Sequence, residues 1–139
     1  MILEINNTTK KKINSKLLKK AANIFGKKMK VDAQTVSLAF VGESRIRSLN
    51  KNYRKIDKVT NVLSFVDKEE NFLGEVIICY PQIERQAKQQ KVSINEELIF
   101  IFIHGLLHLL GYKDKTLAGK EEMEKIGLEL CKNTVGKAR

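Results

Sequence analysis

The chain has 139 residues, enough for one domain with a sizeable core, and its apolar fraction of 42% excludes wholesale disorder. Its 26 basic and 16 acidic residues leave a net charge of +10, which favours a polyanionic partner, nucleic acid first. Cys79 and Cys131 stand far apart in no metal-ligand spacing and fit a reduced, cytoplasmic protein. The first residues lack the basic-then-apolar pattern of a signal peptide, and the longest apolar run, residues 98–103, is too short to span a bilayer.

In chain order, residues 2–5 read as a short strand with Leu3 and Ile5 on one face. Asn7, Thr8 and Thr9 are turn and N-cap residues. A helix is expected over about residues 10–25, with Ile13, Leu17, Ala21 and Ile24 turned to the core. Lys12, Lys16, Lys19 and Lys20 fall on its other side, as a solvated face, an RNA contact or both. Residues 35–41, rich in β-branched and aromatic side chains, form a strand that Gly42 ends. A helix over about 43–53 follows, with Ile46, Leu49 and Tyr53 inward. After the polar loop from Arg54 to Asn61, strands are expected at 62–66 and 74–79, close enough for a hairpin.

A helix spans about 82–90. Ser93 and Glu96 then have the spacing of a capping box and open a helix over 94–110 that is apolar nearly all round, so it is expected at the centre of the protein. The last helix covers about 117–132, with Met123, Ile126 and Leu130 inward. The order β-α-β-α-β-β-α-α-α gives an α+β fold: a small mixed four-stranded sheet packed against helices, with a buried central metal-binding helix, in one domain over residues 1–139.

The chemistry concentrates in His104-Gly-Leu-Leu-His108-Leu-Leu-Gly111-Tyr-Lys-Asp114, which holds both histidines of the chain. Positions i and i+4 share a helix face, so two imidazoles can address one ion. Gly111 can take the left-handed conformation that ends a helix and turns the chain back, which lets Asp114 supply a third ligand. Two separately buried imidazoles in an apolar helix would each need a partner of its own, and one ion satisfies both. The donor set His104, His108 and Asp114 suits one Zn²⁺ with an open position, and iron, manganese and nickel satisfy the same ligand types.

In zinc peptidases of the His-Glu-x-x-His type the glutamate is the general base; here Gly105 stands there, which argues against a peptidase and, with the basic surface, toward a phosphodiester. Arg54, at the end of a helix before a polar loop, is either a plain surface arginine or a bidentate phosphate clamp, and its own surroundings in the sequence leave both readings open. Ser64 is expected to be structural, since no third histidine exists to activate it.

These motifs together resemble the YbeY family of bacterial metal-dependent endoribonucleases. The likeness runs from about Phe40 to Asp114. Leu49-Asn-Lys-Asn-Tyr-Arg54 is similar to the family's helix ending in its arginine, and Asp57-Lys-Val-Thr-Asn-Val-Leu-Ser-Phe65 to its Thr-Asp/Asn-Val-Leu-Ser-Phe strand. Leu73-Gly-Glu-Val-Ile-Ile is similar to its Leu-Gly-Asp-Ile strand, and the run from His104 to Tyr112 to its metal helix. The resemblance implies single-strand-directed cleavage of RNA at the 3′ end of small-subunit rRNA, work in ribosome quality control, and contact with the small ribosomal subunit and its proteins. It makes Arg54 the active-site arginine and His108 a catalytic residue through the ion it holds; no membrane or DNA partner is expected.

The chain departs from the family after Tyr112. The family continues Asp-His, the histidine being its third ligand; here Lys113 and Asp114 stand at those positions. A shift by one residue would place Lys115 at the ligand position instead, but an ammonium group does not bind a metal, so Asp114 is the third ligand under either alignment. A smaller departure is Val59, where the family often has proline. The aspartate adds a negative charge beside the ion. A non-catalytic rRNA- or ribosome-binding assembly factor with a weakened site is the alternative reading, and a small metallohydrolase acting on peptides or small molecules is the third.

Overall fold

The computed structural model describes residues 1–67 and 69–136. Four strands and five helices follow one another as β1 (Ile2–Asn7), α1 (Ser15–Lys28), β2 (Thr35–Val41), α2 (Glu43–Arg54), β3 (Val62–Val66), β4 (Phe72–Cys79), α3 (Tyr80–Gln90), α4 (Ile94–Leu109) and α5 (Leu117–Val135). The sheet order is β1-β2-β4-β3. β1 and β4 run parallel to β2 on either side of it, and β3 returns antiparallel to β4, with Ser64 opposite Val76. The fold is therefore the expected α+β arrangement of a small mixed sheet and helices, with the hairpin at β3–β4 and crossovers elsewhere.

Alternation along the strands makes two cores. Val36, Leu38 and Phe40 of β2 and Val76 and Ile78 of β4 join the larger core, which α1, α4 and α5 cover with Leu18, Phe25, Ile99, Phe102, Leu106, Met123 and Leu130. The odd-numbered partners Val41, Ile77 and Cys79, with Ala39 and Leu63, turn to the other face and meet Ile46 and Leu49 of α2. The sheet is thus sandwiched, and β1 and β3 are its two edges. The apolar helix α4 lies at the centre as expected: Leu98, Ile99, Phe102, Ile103, Leu106 and Leu107 are fully buried. Its N-terminus is capped by Ser93, whose hydroxyl accepts from the Glu96 amide at 3.1 Å. Among the described residues, no single helix is long and apolar enough to cross a membrane.

Two details differ from the sequence reading. Helix α1 begins at Ser15 rather than near residue 10, capped by Asn14, whose side chain accepts from the Leu17 amide at 3.1 Å. Its buried stripe is Leu18, Ala21, Ala22 and Phe25, one residue on from the expected one; Leu17 and Ile24 are only half-buried at its margin. On α2 the buried face is Ile46, Leu49 and Asn50, and Tyr53 is 65% exposed. Asn50 is buried because its amide donates to the Lys58 carbonyl at 3.0 Å, tying down the loop after the helix.

Candidate metal centre

The last turn of α4 and the turn that follows build the site. Leu110 caps the helix, and Gly111 takes φ = +96°, a left-handed conformation that a side chain would strain. The Gly111 amide donates to the His108 carbonyl at 3.0 Å and the Tyr112 amide to the Leu107 carbonyl at 3.1 Å. This is the pairing of a Schellman motif, and it reverses the chain over the end of the helix. Asp114 is thereby brought back beside the two imidazoles.

His104 Nε2 and His108 Nε2 are 3.1 Å apart, and an Asp114 carboxylate oxygen lies 3.4 Å from the first and 3.5 Å from the second. The imidazole planes cross at 81°. A tetrahedral ion with bonds of about 2.0–2.2 Å separates any two of its donor atoms by about 3.3–3.6 Å. The three atoms nearly match one face of such a tetrahedron, so the residues present fit a single ion.

The donor chemistry fits as well. His108 Nδ1 lies 3.1 Å from the Tyr112 carbonyl, and a carbonyl can only accept, so the ring proton is on Nδ1 and the Nε2 lone pair points at the cluster. The turn that places Asp114 thus also orients His108. Burial pushes the His104 imidazole below its ordinary pKa, the neighbouring His108 pushes the same way, and Asp114 only partly opposes them, so His104 favours the neutral form that a metal requires.

Gly105, between the histidines, is where α4 meets the sheet. A Cβ there would stand 2.8 Å from Val76 Cγ1 and 3.1 Å from Val62 Cγ2. The Ser64 hydroxyl donates to the Gly105 carbonyl at 2.9 Å, locking α4 to β3 and giving Ser64 the expected structural role. A glutamate at this position would be forced into the sheet, so the missing peptidase base has a packing cause.

A cleft of about 590 Å³ opens over the cluster, walled by edge strand β3 and the turn, with Arg54, Phe65, Lys113 and Lys115 along it. Arg54 ends α2 and so lines the same cleft as His104, His108 and Asp114, which are 50 to 60 positions further along the chain. Tyr53 packs edge-on against Phe65, ring centroids 4.9 Å apart, beside Arg54. Helical spacing predicts a core position for Tyr53, whereas the structure leaves it exposed and packed on Phe65 of the cleft wall. A second cleft of about 590 Å³ shares His104 and Asp114 and runs on past Phe100, Lys120 and Glu124, so the cluster stands where two openings meet.

Fold and site together define a small α+β protein whose central helix ends in a two-histidine, one-carboxylate cluster able to hold one metal ion at the floor of a cleft. The family model described as Endoribonuclease YbeY matches residues 3–134, and the chain belongs to that family. It is 38% identical over 134 residues to the Endoribonuclease YbeY of Dehalococcoides mccartyi, covering 83% of this chain and 84% of that one. It is 40% identical over 117 residues to that of Ureaplasma parvum, covering 78% and 76% respectively. The solution structure of TM1509 from Thermotoga maritima is similar with a TM-score of 0.65 and 30% identity, covering 95% of this chain and 90% of that one.

Proposed function

We propose that this chain is a metal-dependent endoribonuclease that cuts single-stranded segments of precursor rRNA, at the 3′ end of the small-subunit rRNA. The observation that carries the reading is the three-donor face formed by His104, His108 and Asp114 in a cleft that Arg54 also lines, in a chain of the YbeY endoribonuclease family. Zinc is the proposed ion, since two neutral imidazoles, one carboxylate and an open position are its usual catalytic set. When bound, it supplies the Lewis acidity for attack on a phosphodiester.

The protein's own residues do the rest. Arg54 offers the guanidinium fork that grips a phosphate and offsets charge developing on its oxygens. His108 is held by the Tyr112 carbonyl, so it presents its lone pair without rearrangement. Lys113 and Lys115 add positive charge along the cleft that receives the backbone. Phe65, backed by Tyr53, offers a ring on which an unpaired base can stack. Two clefts meeting at the cluster suit a strand that passes through rather than one that ends there. Apart from His104, His108 and Asp114, no carboxylate or imidazole is among the described residues lining the first cleft, so proton transfer falls to water and to the cluster.

The same reading places the protein in the cytoplasm, acting as one domain in rRNA maturation and ribosome quality control, beside the small ribosomal subunit. The test is cleavage of a single-stranded RNA by zinc-loaded protein, compared with Arg54→Ala. The expected result is endonucleolytic cutting that falls by about 10²-fold in the variant with the ion still bound. Binding of the same RNA without cleavage by the loaded parent would contradict the nuclease reading in favour of an assembly factor.

A further inference from the structure

The net charge of this protein is almost wholly in one place. Residues 10–30 contain nine lysines and no aspartate or glutamate; the other 118 residues hold 17 basic against 16 acidic residues. The chain's +10 is therefore +9 on α1 and its flanks and +1 on everything else.

In the fold this segment is a surface. The buried stripe of α1 is Leu18, Ala21, Ala22 and Phe25, and the exposed positions of the helix are Ser15, Lys16, Lys19, Lys20, Asn23, Lys27 and Lys28. At 100° per residue, Lys16, Lys20 and Lys27 fall within one narrow sector directly opposite the buried stripe, with Lys19 on its flank. Two lysines are neutralised locally, Lys11 by Glu84 at 3.1 Å and Lys28 by Glu129 at 3.5 Å. The other seven make no ion pair among the described residues.

Such a face works against its own helix. On the helix, Lys16 and Lys20 are like charges at i,i+4 and Lys16 and Lys19 at i,i+3, and Lys12 adds a further positive charge just ahead of the N-cap. The first turn has no acidic residue, although the positive end of the helix dipole favours one there. A face selected only for solubility does better with both signs mixed. An uninterrupted run of one sign at odds with local helix energetics marks a surface kept for a partner.

We infer that the lysine face of α1, with Lys10 and Lys12 ahead of it, is a second RNA-binding surface, separate from the cleft, that holds phosphates of the substrate outside the segment being cut. The inference rests on the proposed RNA substrate. α1 packs along β1, and the cleft lies along β3; three strand spacings, about 14 Å, separate those two edges of the sheet. A helix of 14 residues is about 21 Å long, enough to meet several successive phosphates. A membrane surface fits less well: an interfacial helix needs a free apolar face, and that of α1 is spent in the core.

The test uses the full, zinc-loaded chain and a variant carrying Lys12→Gln, Lys16→Gln, Lys19→Gln and Lys20→Gln, which spares both ion pairs. Binding is read by fluorescence anisotropy, before cleavage accumulates, on an RNA of about 6 nucleotides and one of about 40, across a salt series. Each lysine that neutralises a single-strand phosphate contributes about −0.7 to the slope of log K against log salt, so the variant's slope on the long RNA is expected to flatten by about 2–3. Binding of the short RNA and the thermal midpoint are expected to stay unchanged. An unchanged slope on the long RNA overturns the inference, and so does an equal loss on both RNAs, which would merge the face with the cleft. Parent binding to anionic phospholipid vesicles that the variant loses, with its RNA slope intact, overturns it in favour of a membrane. A parent that shows the steep slope, loses it in the variant and yet cleaves no RNA supports the surface and contradicts the nuclease reading.

Discussion

The two edges of the sheet are built on opposite terms. At the β3 edge a few directed contacts set the geometry: a Schellman turn, one carbonyl behind His108, and three donor atoms 3.1–3.5 Å apart. At the β1 edge the binding groups are diffuse: seven lysines without an ion pair among the described residues, four on α1 and three flanking it. Directed bonds of the first kind are short-range and lost at one stroke, whereas charge of the second kind is long-range, redundant and screened by salt. Single substitutions are therefore expected to be severe at one edge and nearly silent at the other.

The largest contrast comes from His108→Ala, which removes one of three ligands and is expected to abolish both ion binding and cleavage while leaving the RNA salt slope as it was; metal analysis and anisotropy on one preparation check both. Arg54→Ala follows, with activity down about 10²-fold, metal content retained and thermal stability unchanged because the side chain is exposed. Arg54→Lys is expected to recover little of it, since an ammonium lacks the bidentate fork.

Gly105→Ala sharpens the comparison from the side of packing. Its new methyl meets Val76 and Val62, neither of which has a flexible end to move, and the expected cost is about 1–3 kcal/mol in denaturant unfolding. For Gly111→Ala the added methyl meets open space, so only the φ of +96° is penalised, at about 1–2 kcal/mol. That variant is also expected to bind the ion more weakly, because the turn carrying Asp114 relaxes. Lys16→Gln is the smallest change: stability within about 0.5 kcal/mol and a salt slope flatter by about 0.7. A single lysine variant that abolished RNA binding would break the distinction between the two edges.

The sequence shows the site more clearly than it shows α1, for physical reasons. An i,i+4 histidine pair in an apolar helix, followed by a glycine and a carboxylate, has few structural solutions, and the Schellman turn at Gly111 realises the one expected. Along α1 the apolar residues come as doublets, Leu17-Leu18, Ala21-Ala22 and Ile24-Phe25, so two stripes one residue apart have the same helical period. Packing against α4 and α5 chose the stripe with Leu18 and Phe25. Tyr53 has the spacing of a core residue but packs edge-on against Phe65 at the surface, and Asn50 takes its place through a bond to the Lys58 carbonyl. Such long-range partners leave no periodic mark in a sequence. The Tyr112 carbonyl behind His108 and the contact of Gly105 with β3 and β4 were equally invisible, because one belongs to the backbone and the other to an absence of side chain.

Asp114 completes the cluster at the position where the family's motif has a histidine. The direct measurement of this claim is the zinc content of purified, zinc-equilibrated protein beside Asp114→Ala, with thermal unfolding to show that both are folded. One ion per chain in the parent and a folded variant that has lost it is the predicted result. A folded parent that binds no ion, or a variant that keeps a full one, would contradict the claim.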